Sequence, residues 1–111
     1  MSDTSAPLAM PIVQRALDAA NAGDTEDFLD CFASDGAVDD WGRVFRGRHA
    51  IRGWSDREFI GVQVVLSPTG TERVGDTVTI SAQVGGSGYT GPSHFAFTVS
   101  NERITLMRIT S

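Results

Sequence analysis

The chain has 111 residues, 41% of them hydrophobic and 21% charged, with a formal net charge of −5 at pH 7. That is room for one hydrophobic core of ordinary composition, and the excess of acid argues against nucleic acid or an anionic membrane as partner. The single cysteine, Cys31, excludes a disulfide framework, and two histidines, His49 and His94, are too few for a structural zinc site.

Residues 1–10 read as a small, polar lead-in to one domain over 11–111. They lack the basic start and apolar core of a secretory signal, and no apolar run nears the roughly 20 residues of a membrane span. The expected address is cytoplasmic. "PIVQRALDAANAGD" then sets Ile12, Val13, Ala16, Leu17 and Ala20 at helical spacing, with Pro11 in the first turn and Gly23 just past the end. A second helix follows, capped by Asp24 or Thr25, with Glu26 and Asp27 at its positive end and Phe28, Leu29 and Phe32 as its apolar stripe. Cys31, with no basic neighbour in sequence to activate it, reads as a small buried hydrophobe.

"SDG" reads as a turn, and "AVDDW" and "RVF" as two short strands with Gly42 near the bend. "GRHAIRGWSDREF" reads as a third helix with Ile51, Trp54, Ser55 and Glu58 on one face, His49 exposed at its start, and Arg57 and Glu58 a solvated pair near its end. The rest is strand material. Val78, Ile80, Ala82 and Val84 alternate with polar residues, as do Phe95, Phe97 and Val99 beyond the Gly-rich connection "GGSGYTGPS". That connection joins two strands rather than a strand and a helix, and all nine basic residues are arginine, so a phosphate-binding loop is excluded. The last strand, "RITLMRITS", sets Met107 and Ile109 toward one face and Ile104 and Leu106 toward the other. Helices can cover only one of those faces, so a second copy of the chain is expected on the other, giving a homodimer. Helices first and an antiparallel meander afterwards predict an α+β fold.

The stretches "NAGDTEDFLDCFASDGAVDDWG", "RGRHAIRGW", "GPSHFAFTV" and "RITLMRI", in this order, resemble the nuclear-transport-factor-2-like superfamily, and within it SnoaL-like polyketide cyclases and ketosteroid isomerases. The resemblance implies a curved antiparallel sheet wrapped by three N-terminal helices into a cone with an apolar pocket, the cystatin-like roll. In ketosteroid isomerases the acid ending the equivalent first strand is the general base. Matching "GAVDDW" to that pattern assigns the role to Asp40. Alternation agrees, because Val38 and Asp40 share one face while Asp39 takes the other. A carboxylate beside an indole in an apolar cone suits proton abstraction. The alternative is that both acids are solvated at the rim and only shape the hairpin.

The departures matter as much. The position matching the isomerase tyrosine is Ala16, and that matching its protonated acid is Ser93. Loss of even one such donor typically costs about 10²–10³ in rate, which argues against ketosteroid isomerisation by that mechanism. Ser93 remains a weaker donor, and Tyr89 in the Gly-rich loop is a candidate to lie over the cone mouth. Phe28, Phe32, Trp41, Trp54, Phe95, Phe97 and Met107 are the expected ligand-binding surface. His94 is a further candidate, although alternation with Phe95 and Phe97 sends it outward unless a bulge near Pro92 shifts the register.

Two functions stay open. One is a cofactor-independent isomerase, cyclase, dehydratase or hydrolase acting on a neutral, apolar, oxygenated small molecule, with Asp40 as base and Ser93 or Tyr89 polarising the oxygen. The other is a non-catalytic ligand-binding or dimeric assembly module. Neither calls for a metal or an organic cofactor.

Overall fold

The computed structural model describes residues 10–111, so most of the expected lead-in lies outside the described residues. Two helices open the domain, α1 (Pro11–Ala22) and α2 (Thr25–Asp30), followed by a hairpin of β1 (Phe32–Asp40) and β2 (Arg43–Arg46). Helix α3 (Arg48–Glu58) and a 3-10 turn (Ile60–Val62) lead into β3 (Val65–Val74), β4 (Thr77–Gly85), β5 (Gly91–Ser100) and β6 (Arg103–Thr110). One curved, unclosed sheet results, in the order β2-β1-β6-β5-β4-β3. Every pairing is antiparallel except β1 with β6, which is parallel.

Alternation fills one sheet face. Val78, Ile80, Ala82 and Val84 of β4 are buried with Ser93, Phe95, Phe97 and Val99 of β5, and the helices cover them. Helix α1 buries Val13, Ala16, Leu17 and Ala20, and it is tied to the edge strand by Asn21. The Asn21 Oδ1 accepts from the Leu66 amide at 2.6 Å and its Nδ2 donates to the Leu66 carbonyl at 3.0 Å. Helix α3 buries Ile51, Trp54 and Ser55, three of the four residues expected on its inner face; Glu58 is exposed.

Corrections fall at two places in the sheet. Phe32 is not on the stripe of α2 but opens β1, and "SDG" is not a turn but lies within the strand. Helix α2 stops at Asp30, and the Ile104 amide of β6 donates to the Cys31 carbonyl, drawing the chain into the sheet. The register slips between Phe32 and Ala37, and Gly36 makes that slip possible. A Cβ there would sit 2.8 Å from the Ile104 carbonyl oxygen. The second correction concerns Ile104, which faces the core and is fully buried. Val99 pairs with Ile104 while Thr98 pairs with Leu106, so Thr105 is an extra residue that flips the alternation. Its hydroxyl donates to the Thr98 carbonyl at 3.1 Å. Leu106 alone of the expected pair stays on the outer face.

Among the described residues, no helix is long and apolar enough to cross a membrane.

Candidate functional site

The hairpin between β1 and β2 fixes the acids. Trp41 (φ 56°) and Gly42 (φ 88°) both adopt the left-handed conformation of a two-residue turn. Asp39 steadies this turn from the outer face. Its Oδ1 accepts from the Gly42 amide at 2.8 Å, and its Oδ2 stands 3.4 Å from Arg108 Nε. Asp40 takes the other face, as alternation requires, with its side chain only 15% exposed.

The Asp40 Oδ2 accepts two hydrogen bonds, from Trp54 Nε1 at 3.1 Å and from Arg43 Nη2 at 2.6 Å. Trp54 is 1% exposed, so its indole N–H needs a partner inside the protein, and Asp40 is that partner. The ring is stacked on Phe59 with centroids 4.8 Å apart and leans on Phe45 at 6.2 Å. Arg43 also grips Glu58 with both terminal nitrogens, at 2.7 and 2.9 Å, and its guanidinium lies 5.6 Å over the Phe45 ring. The Arg43 hydrogen bond holds the Glu58 carboxyl below the usual carboxylate range, and Glu58 in turn raises the Arg43 guanidinium, which stays charged. Glu58 therefore pairs with Arg43 rather than with Arg57. Neither Arg43 nor this use of Glu58 is signalled in the sequence, because 15 residues and a helix separate the two.

Among the described residues, none of the other expected polar site residues hydrogen-bonds to Asp40. Ser93 is 4% exposed, but its hydroxyl donates to the Thr110 carbonyl at 2.8 Å. Tyr89 is 59% exposed in its loop, and its hydroxyl donates to the Pro92 carbonyl at 2.8 Å. His94 is exposed on the outer sheet face, a correction to its candidacy for the cone interior. Pairing runs without a slip from Ala82–Ser93 to Ser81–His94, so no bulge at Pro92 turns it inward. Trp41 stands 65% exposed at the hairpin tip rather than walling an enclosed space. Ala16 is buried on α1.

Phe28, Phe32, Trp54, Phe95, Phe97 and Met107 are all buried, and several of them pack directly on one another. Phe28 meets Phe32 edge-on at 5.3 Å and Phe59 at 5.5 Å, and Phe59 reaches Phe95 at 6.4 Å. The cone centre is thus filled with side chains. A cavity of about 660 Å³ lies by the start of α1 and the β5–β6 turn, among Met10, Ile12, Val99 and Arg103. A smaller one of about 270 Å³ lies between α2, β1 and α3, lined by Leu29, Phe32, Ala33, Ser34, Arg48 and Ile51. Asp40 is on the wall of neither. Among the described residues, no group of three or more His, Cys, Asp or Glu is placed to hold a metal ion.

A family model for the SnoaL-like domain matches residues 13–107. Among solved structures, a protein from Sinorhizobium meliloti proposed to be a polyketide cyclase is 26% identical, with a TM-score of 0.83, covering 97% of this chain and all of that one. A protein of ketosteroid isomerase-like fold from Catenulispora acidiphila, in complex with trimethylamine, is 27% identical at a TM-score of 0.77, covering 93% and 87% of the two chains. A Mycobacterium tuberculosis protein in complex with estradiol-17β-hemisuccinate shares the fold, with a TM-score of 0.79, 18% identity and coverage of 94% and 93%. No curated protein sequence matches.

Proposed function

This chain belongs to the SnoaL-like domain family, and from that premise we propose that it binds a neutral, mostly apolar, oxygenated small molecule at the Asp40 end of its cone, with Asp40 as general base. The observation that carries the reading is the Asp40 carboxylate itself. It is partly buried and held by an indole N–H and a guanidinium on Oδ2, at the position where the resemblance puts a base. The two bonds share one oxygen, so Oδ1 is the atom that accepts a proton from carbon next to a carbonyl. The 26% identity to a protein proposed to be a polyketide cyclase supports the substrate class. Double-bond isomerisation, aldol cyclisation and β-elimination of water in a carbonyl compound can each start with such a proton transfer.

The test is proton exchange. Ketone-bearing terpenoids and polyketides are incubated with the protein in D2O, and loss of the NMR signal from carbon next to the carbonyl is followed. Exchange that depends on protein and fails in Asp40→Asn supports the reading. Saturable binding with no exchange in the wild type rejects Asp40 as base.

A second reading, a non-catalytic binding or assembly module, is favoured by one observation: the hydroxyls of Ser93 and Tyr89 are committed to backbone carbonyls and the cone centre is filled. Under either reading we place the protein in the cytoplasm as a homodimer through the outer sheet face. Leu106, Ala96 and the 56%-exposed Val44 stand there. Sedimentation equilibrium giving only the 11.9 kDa monomer at micromolar concentration rejects the dimer.

A further inference from the structure

We propose that Arg43, set in place by Glu58, is the group that holds the ligand's oxygen and takes up its developing negative charge, the part left open by Ala16 and Ser93. This inference rests on the reading of Asp40 as base and extends it to a second residue and to the form of ligand accepted.

A guanidinium has five N–H donors in one plane. The Arg43 bonds to Glu58 and Asp40 use three of them, one on Nη1 and two on Nη2. The Nε hydrogen and one Nη1 hydrogen are left over, on a side chain that is 53% exposed and bonded to Asp40. The two-pronged grip of Glu58 fixes the plane of the fork, and Phe45 supports one face of it at 5.6 Å. Arg43 is therefore oriented before any ligand arrives, which makes donors effective toward a developing charge.

The proton transfer is balanced without an added reactant. The C–H bond next to the ligand's carbonyl breaks and its proton goes to Asp40 Oδ1. The electron pair shifts onto the carbonyl oxygen as an enolate, and Asp40 later returns the proton to carbon. Before transfer the negative charge is on Asp40, 2.6 Å from Arg43 Nη2. Afterwards it is on the ligand oxygen at the remaining Arg43 donors. One cation serves both ends of the transfer, so the charge moves within its reach rather than away from it. The ligand must then present an acceptor oxygen, a ketone or an ionisable phenol, and an amine or a bare hydrocarbon lacks the group Arg43 holds.

The experiment uses 2-naphthol, whose neutral and ionised forms differ in fluorescence, with 2-methylnaphthalene as the oxygen-free control. Asp40→Asn gives the charge state that follows proton transfer and keeps an oxygen for the Trp54 indole. In Asp40→Asn the naphtholate should bind at least tenfold more tightly than in Asp40→Asn/Arg43→Gln, and bound naphthol should ionise at lower pH than free naphthol. Binding of 2-methylnaphthalene should be equal in the two, which also reports that both are folded. Glu58→Gln added to Asp40→Asn should lose part of the preference, as a positioning residue would. Equal naphtholate affinity with and without Arg43 overturns the inference and leaves Asp40 untouched. Failure of the wild type and Asp40→Asn to bind either probe overturns the Asp40 reading and this inference together.

Discussion

Around α2, Glu26, Asp27 and Asp30 meet Arg15, Arg48 and Arg52 across exposed helix faces, whereas at the hairpin Asp40 and Glu58 meet Arg43 above a buried indole. The chemistry of the pairs is the same, but what lies beneath them differs. Helix α2 is held to the domain by Phe28 and Leu29, both almost fully buried, and its ion pairs sit on top of that packing. Pairs of that kind gain little in water. Asp40 instead completes the hydrogen bonding of a core side chain, so its loss reaches inward. The position of a charge relative to the apolar core, rather than the count of ion pairs, decides what it does here.

The most disruptive way to break the contrast is to remove what the hairpin cluster rests on. Trp54→Ala should lower the unfolding free energy by about 3–5 kcal/mol, the usual cost of deleting a large buried aromatic ring, measured by urea denaturation. It should also loosen the hairpin, seen as faster amide exchange at Asp40 and Arg43. Asp40→Leu comes next. It leaves the Trp54 indole N–H without a buried partner and should cost about 1–3 kcal/mol, whereas Asp40→Asn, which keeps an acceptor, should cost clearly less. If the leucine and asparagine variants are equally stable, Asp40 is not completing the core, and the distinction between the two clusters fails.

How much of this contrast could be read from the residues alone depends on how local its causes are. Helices α1 and α3 follow from amphipathic spacing, and the inward turn of Asp40 follows from local alternation over Val38, Asp39 and Asp40. The misplacement of Phe32 comes from the parallel pairing of β1 with β6, whose residues lie some 70 positions apart, and that of Ile104 from the extra residue at Thr105 in the pairing of β5 with β6. The irregularities in these two pairings, around Gly36 and at Thr105, leave no local mark. The grip of Arg43 on Glu58 is likewise a tertiary fact. Hydrophobic pattern identified Phe28, Phe95, Phe97 and Met107 as inward-facing, but a pattern carries no volume. It cannot distinguish residues that line a void from residues that fill it.

A smaller effect should come from the exposed network. Substituting Arg48→Gln should change the denaturant midpoint much less than Asp40→Leu does, and added salt should erase the difference from wild type, since screening acts on exposed pairs first. A change that persists in concentrated salt would mean that Arg48 contributes through its contact with the small cavity by Leu29 and Ile51 rather than through charge.

The smallest effect is the pH response of the same network, and its sign is fixed by Glu26. Hydrogen bonds from Arg52 and Arg48 pull that carboxyl from its ordinary value of 4.5 down to about 2. A carboxyl with a lowered value in the folded state favours folding while it is ionised. Its contribution is therefore whole above pH 4.5 and disappears as the pH falls toward about 2. Because Glu26 and Arg48 are exposed and Arg52 is partly so, screening keeps the contribution small. Thermal melts of wild type and Glu26→Gln at low salt should differ at pH 6 and converge as the pH is lowered through that window. Convergence is the discriminating feature, because general acid unfolding lowers both melting curves while only the Glu26 pairs can close the gap between them. A gap that stays constant down to pH 2 would mean that Glu26 holds α2 by packing of its methylenes, and that the outer cluster is less electrostatic than its geometry implies.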